Sequence, residues 1–323
     1  MDQINSTTKS THKVEVVPIV LEPHPNADSL SIVHIFGYTI VVKTEQWEGI
    51  NLGAYIVPDS IVDITRPEFS FLTNPRIKVK KLRGVVSMGL LMPAPPDAQI
   101  GDDVAEFYGV TRYETPENLS TGGEVGPTPS GIYYKYDVDT YYRYPNIIQE
   151  GEEVWVSEKI HGSNGRYVFQ DGEMYIGSRS EWKKGEGNIW AGALKQNTWI
   201  EEWCRTHEGF TLYGEVYGWV QDLRYGHGPG KYGFRVFDIL HRGRWLDYEG
   251  VTGLGLDSSQ IVPTLYVGGY NSNLTELADG NSLILGANHI REGIVIKPVV
   301  NRQDDTIGRV ILKVISNKYL ERA

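Results

Sequence analysis

The chain has 323 residues, is 40% hydrophobic and 22% charged, and carries a formal net charge of −10. That length accommodates two domains of roughly 100–200 residues each, and the composition excludes a disordered chain. No apolar run approaches the ~20 residues of a membrane span, and one cysteine, Cys204, excludes an internal disulfide framework and a multi-cysteine zinc site.

The chain opens on MDQINSTTKSTHK, which is polar and has no apolar signal core. Residues 1–12 therefore read as a flexible tail. With the single cysteine this points to the cytoplasm or another reducing compartment, so the sequons at Asn5 and Asn118 read as chance.

From residue 13 to about 93, short runs rich in Val and Ile alternate with Pro, Gly, Asn and Asp. Five or so such runs (KVEVVPIVLEPH, SIVHIFGYTIVV, NLGAYIVP, RIKVKKLR and VVSMGLLMP) predict a small β-barrel. An acidic total does not exclude nucleic acid, because binding depends on local patches. One such patch is RIKVKKLR: on a strand Arg76, Lys78 and Lys80 share one face, and Lys81 and Arg83 continue on the other parity. A solvated strand face and a phosphate-contacting surface are both open for it. Residues 111–135 are turn-rich, with NLSTGGEVGPTPSG predicting an exposed linker.

Regular structure resumes near Tyr136. Strand candidates are EEVWVSEKI, EMYIGSR, FTLYGEVYG, GFRVFDIL, REGIVIKP and RVILKVIS. Residues 187 to 207 predict one helix, with Ile189, Leu194, Trp199, Ile200 and Trp203 on one face. Strands and helices do not alternate regularly, so the fold class expected is α+β, with a barrel followed by antiparallel sheets flanked by helices. GHGPGKY hints at a phosphate loop, but Tyr225 and Tyr232 stand where that pattern needs Gly and Ser or Thr; it reads as a turn.

Polar residues interrupt these apolar strands. Lys159 follows one, Arg179 ends another, and Glu215, Asp238, Glu292, Lys297 and Lys313 lie within others. A buried charge must be paired or it is costly. Taken singly, each reads best as a surface or paired charge; together with VSEKIHGSN they outline a groove for a polyanion with a metal. Lysine attacks only when neutral, and at pH 7 fewer than roughly one in a thousand ordinary lysines are. The expectation is that burial and the neighbouring cations Lys297 or Lys313 lower the pKa of Lys159, with Glu158 turned away from it. Attack on carbon would give a Schiff base and attack on phosphorus a phosphoramidate; the accompanying Glu and Lys residues favour phosphorus.

EKIHGSN, SR, GEVYG, FRVFDI, EGIVIKP and ILK, in that order, resemble the motif series of the covalent nucleotidyltransferases. His161, where DNA ligases and capping enzymes carry Asp, is similar to the RNA ligase branch. HPNADSLSIVHI and LRGVVSMGLLMP resemble OB-fold tRNA-binding modules. An OB barrel at 13–110 before a ligase domain at 136–323 is similar to RNA ligase family five. The resemblance implies an ATP-dependent RNA ligase, a monomer, that joins RNA 3′-OH and 5′-phosphate ends, with Mg2+ or Mn2+ as cofactor.

Residue by residue, the resemblance implies that Lys159 forms the lysyl-AMP. Glu158, Ile160, Arg179 and Glu215 bind the nucleotide, and Phe237 stacks on adenine. Lys297 and Lys313 contact phosphates, and Glu215 and Glu292 hold metal through water. His161, Asn164 and Arg166 serve the RNA end, and Arg76, Lys78, Lys80, Lys81 and Arg83 grip RNA. One departure stands out: the last motif often reads K-x-K, and here it is Lys313-Val314-Ile315. The competing readings are a non-catalytic RNA-binding protein on a ligase-like scaffold, and a DNA ligase or capping-type enzyme.

Overall fold

In a computed structural model the described residues are 12–113 and 123–322. The tail expectation and the first half of the predicted linker fall mostly outside them, as do both sequons. The chain divides into two compact units, Met1–Thr115 with Leu320–Ala323, and Pro116–Tyr319.

The first unit is built from short antiparallel strands. Val14–Pro18, Leu52–Ile56 and Leu90–Pro93 form one sheet, and Leu30–Ile35 pairs with Tyr38–Lys43 in another. Period-two alternation puts Val14, Ala54 and Ile56 into one buried cluster and Val33, Ile35, Ile40 and Val42 into a second. The basic run is not one strand. Ile77 is tied to the backbone of Asp59 and Ser60, and pairing resumes only in the hairpin Lys80–Leu82/Val85–Ser87. Its turn is Arg83-Gly84, with φ of 48° and 90°, the left-handed pair that a two-residue hairpin needs. The loop after Glu22–Pro23 clamps this turn. The His24 ring nitrogen Nε2 lies 3.2 Å from the Leu82 carbonyl, and Asn26 Nδ2 donates to the Arg83 carbonyl at 3.0 Å. HPNADSL and LRGVVSM are thus partners in space.

The second unit is two sheets with helices on one side. The seven-stranded sheet centres on Ser163–Gln170, Phe210–Gly218 and Tyr232–His241, and the five-stranded sheet on Glu153–Lys159, Gly293–Pro298 and Leu312–Ile315. Alternation sorts the faces. Val154, Val156, Ile294, Ile296, Leu312 and Val314 bury one face of the smaller sheet. Trp155, Lys159, Val295, Lys297 and Lys313 stand on the other. On the larger sheet Tyr167, Leu212 and Val216 pack with the helical residues Trp190, Ala193, Ile200 and Trp203, while Asn164, Arg166, Glu215 and Tyr213 stand opposite them as cross-strand neighbours.

Two expectations are corrected. The single helix is two, Ile189–Gln196 and Trp199–Thr206. Asn197 ends the first by donating its side-chain amide to the Ala193 carbonyl at 2.7 Å; Trp190 and Ala193 are buried there, and the expected Ile189 and Leu194 are partly buried against the same core. The second half of the predicted linker is structured, because Glu124–Val125 pairs with Lys183 and Lys184 as a sheet-edge strand and Tyr133 packs edge-on against Trp182.

Candidate functional site

Lys159 is the last residue of its strand, opposite Gly293, which stands in turn opposite Ile315. Gly293 has no room for a side chain, since a Cβ would meet the Val314 carbonyl oxygen at 2.1 Å. Gly162, in the turn after Lys159, is equally tight, with the Val216 carbonyl oxygen 2.1 Å from a Cβ. These two close approaches bring Glu292, just before Gly293, and Glu215, just before Val216, up to Lys159.

The Lys159 ammonium donates to Glu292 Oε1 at 2.6 Å, with side-chain exposures of 24% and 12%. His161 Nδ1 lies 3.4 Å from Glu292 Oε2, and its Nε2 lies 2.8 Å from Asp222. The Tyr319 hydroxyl is 3.2 Å from Nδ1, and the His161 backbone N–H donates to the Tyr225 hydroxyl at 2.7 Å. The result is a chain of contacts, Asp222 to His161 to Glu292 to Lys159. Asp222, Tyr225 and Tyr319 carried no signal in the sequence, since none belongs to a periodic run or to a motif.

The electrostatics correct one expectation. Burial lowers the pKa of Lys159, but attraction to Glu292 and Glu215 outweighs it, so the value stands above that of a free lysine. Of the two predicted neighbours, Lys297 is engaged elsewhere. Lys297 donates to Asp238 at 3.0 Å and to the Phe237 carbonyl at 2.9 Å, and its ammonium lies 4.4 Å from the Trp155 ring centroid. The two carboxylates are driven apart. Burial raises Glu292, but Lys159 and His161 more than offset it and bring it to about 2. Burial carries Glu215 up to about 8, against the pull of Lys159. Near neutral pH one carboxylate is thus ionised and the other protonated.

This split has a measurable consequence. The Glu215 pKa is raised on folding, so its contribution to stability is full below 4.5, the ordinary value, and is lost as pH rises through about 8. Glu292 runs the opposite way: its contribution is present above 4.5 and is lost as pH falls towards about 2. Glu215→Gln should therefore melt like the parent at pH 5 and higher than it at pH 9, by roughly 5 °C. Thermal melts across that range check this, and a constant gap would refute the assignment.

The other expected site residues divide. Asn164 is the cross-strand neighbour of Glu215, and its buried side-chain oxygen has no hydrogen-bond partner. Phe237 is half-buried, its ring 4.5 Å from that of Tyr136. Arg179 pairs with Asp137 at 2.9 Å. Lys313 stands opposite Val295 on the Lys159 face.

Five placements correct the expectations. Glu158 points to the opposite face, as alternation requires, and accepts from Ser282 Oγ at 2.5 Å and the Leu283 N–H at 2.7 Å, so its side chain holds a loop, not a nucleotide. Ile160 is buried in the apolar core beside Trp155. Arg166 is 4% exposed, donates to the Ser178 carbonyl at 2.6 Å and lies over Trp182, which places it inside the sheet and not at an RNA end. Lys297 is locked in a buried triad with Asp238 and Arg309, which removes it from phosphate contact. Arg76 is spent on Asp59, at 2.6 Å, and on the Tyr113 ring. Lys78, Lys80, Lys81 and Arg83 remain exposed.

A cavity of about 450 Å³ opens at the other ends of the same strands, at Gln170, Thr211 and His241. Six residues of strand separate Gln170 from Asn164, roughly 20 Å, so it is not part of this site. Among the described residues no helix is long and apolar enough to cross a membrane.

A family model described as RNA ligase matches residues 152–315, and an OB-fold domain model matches residues 12–94. Among solved structures the chain is similar to a Naegleria gruberi RNA ligase mutant with AMP and Mn, at 25% identity over 96% of this chain and 99% of that one, with a TM-score of 0.78. The same organism's RNA ligase with PPi matches at 25% identity over 96% and 98%, with a TM-score of 0.77. A further mutant of it with ATP and Mn matches at 25% over 96% and 98%, also with a TM-score of 0.77. No curated protein matches. The fold is α+β, an OB-fold barrel followed by a ligase domain. The family match covers just over half of the chain and includes Lys159, Glu215 and Glu292, and the chain belongs to the RNA ligase family.

Proposed function

We propose that this protein is an ATP-dependent RNA ligase that seals 3′-OH/5′-phosphate breaks, in particular nicks in a duplex, through a lysyl-AMP intermediate. The observation that carries this is the Lys159–Glu292 pair at 2.6 Å, flanked by Glu215 and His161 between two sheets. The similar ligase is described with ATP, AMP and PPi, the reactant and products of such chemistry.

In the first step Lys159 Nζ, having lost its proton, attacks the α-phosphorus of ATP. A P–N bond forms, the bond to the β-phosphate oxygen breaks, and pyrophosphate leaves. Lys159 becomes nucleophilic when the negative charge of Glu292 is engaged elsewhere, because that carboxylate, ionised near neutral pH, holds its proton. A 5′-phosphate oxygen of RNA then attacks the same phosphorus and breaks the P–N bond. The 3′-OH attacks the 5′-phosphorus, and AMP departs as the phosphodiester forms. Arg179 and Glu215 serve the ribose, Phe237 the adenine and Lys313 the phosphates. His161 and Asn164 serve the RNA end.

The donor set fits a divalent cation held through water. Glu292 Oε2 is buried without a hydrogen bond, and burial keeps Glu215 protonated near neutral pH against the pull of Lys159. Among the described residues no cluster of three or more His, Cys, Asp or Glu is set to ligate an ion directly. Mg2+ or Mn2+ bound there supplies charge neutralisation for the phosphates.

The exposed cations of the Lys80–Ser87 hairpin region are proposed to meet the RNA backbone. Changing Lys78, Lys80, Lys81 and Arg83 together to Gln should flatten the dependence of log affinity on log salt by about 3.6, given a loss of ~0.9 per contact. RNA-binding titrations at several salt concentrations check this, and an unchanged slope would remove the hairpin from the interface. The ligase reading itself is tested by covalent labelling, below.

A further inference from the structure

We propose that Trp219, backed by Arg224, is a stacking platform for the terminal base of the RNA strand at the break. The inference rests on the ligase reading and adds to it a surface for the RNA end. The strand Phe210–Gly218 carries Glu215, and Trp219 is the residue after it. Trp219 is 41% exposed, and the Arg224 guanidinium lies 3.9 Å from its ring centroid.

The segment is pinned to the catalytic turn. The Trp219 N–H donates to the Lys231 carbonyl at 2.9 Å. Gln221 Nε2 donates to the Gly162 carbonyl at 3.1 Å, and Asp222 meets His161 at 2.8 Å. Trp219 is three residues from Asp222, so their Cα atoms are at most roughly 11 Å apart. The same segment meets the loop that carries Leu283 and Leu285, which are 55% and 93% exposed. There the Gly226 and Gly286 backbones touch, with the Gly286 carbonyl oxygen 2.7 Å from a Cβ at Gly226.

The setting selects a nucleic-acid end over a protein partner. An open indole stacks any base, because every base has a π-face. The guanidinium strengthens that plate and supplies positive charge to the adjoining phosphates. The plate lies on the segment whose Gln221 and Asp222 bond to Gly162 and His161, beside Lys159, which is where a strand end must lie for transfer.

The test uses the full chain and nicked RNA duplexes carrying 2-aminopurine at the 5′-phosphate terminus or at the 3′-OH terminus. With the parent protein and Trp219→Phe, fluorescence at one of the two termini should be quenched on binding. In Trp219→Ala the quench should be lost and the KM for sealing should rise about 10-fold, with self-adenylylation by ATP within about twofold of the parent. Should Trp219→Ala lose self-adenylylation as well, Trp219→Leu, which keeps the bulk without a π-face, carries the same expectation. An unchanged quench and KM in Ala or Leu would overturn the platform. Failure of the parent to take label from ATP would instead remove the ligase reading, and the fluorescence result would still decide the platform.

Discussion

Lys159→Ala is expected to abolish covalent attachment of AMP while the protein stays folded. The loss is total because no other lysine shares the position: Lys297 is bound to Asp238, and Lys313 lies on a different cross-strand row, opposite Val295. Lys159 ends its strand with 24% of its side chain exposed, so alanine leaves no closed cavity. Glu292 loses its closest partner but keeps His161 at 3.4 Å and can take up a proton. A modest fall in melting temperature with a complete loss of label is therefore the expected pair of results. Label retained in the variant would move the nucleophile elsewhere and end this account of the site.

Asp238→Asn is expected to destabilise the ligase unit strongly. Asp238 is fully buried and accepts from Tyr136 at 2.8 Å, Lys297 at 3.0 Å and Arg309 at 2.8 Å, all on Oδ2. Burial raises its pKa, and the two cations more than reverse that, so it is ionised in the fold. Asparagine removes the counter-charge of buried Arg309 and of Lys297, whose pKa burial already lowers to about 8 even with Asp238 present. Breaking a buried pair in this way costs about 3–5 kcal/mol. Chemical denaturation of the variant measures it. A variant as stable as the parent would contradict the buried triad as a source of stability.

Legibility in the sequence followed periodicity. Lys159, Glu215 and Glu292 were readable because each interrupts or ends an apolar strand with a glycine within three residues, and the structure gives Gly162 and Gly293 a steric reason to be there. Lys297 gives the same signal for a different cause. Its partner Asp238 is 59 residues away, and nothing local marks the pair. Glu158 could be turned away from Lys159 on alternation alone, and its partners Ser282 and Leu283 confirm the direction. Asp222 and Tyr319 were invisible, because a loop residue and a chain-end tyrosine reach His161 only through the fold. In the barrel, alternating charge predicted one basic strand from Arg76 to Arg83. Two tertiary contacts, Asp59 and Tyr113, claim Arg76 and leave the hairpin to present the rest. The single predicted helix failed at Asn197, whose side chain competes for a helix carbonyl.

The most direct test of the central claim is incubation of the purified protein with α-labelled ATP or GTP and Mg2+, followed by denaturing electrophoresis. The expected result is label on the protein from ATP, reversed by pyrophosphate. Label from GTP alone would move the chemistry to capping. No label from either, on protein whose mass shows that it was not already adenylylated, would contradict the covalent mechanism and leave an RNA-binding protein on a ligase scaffold.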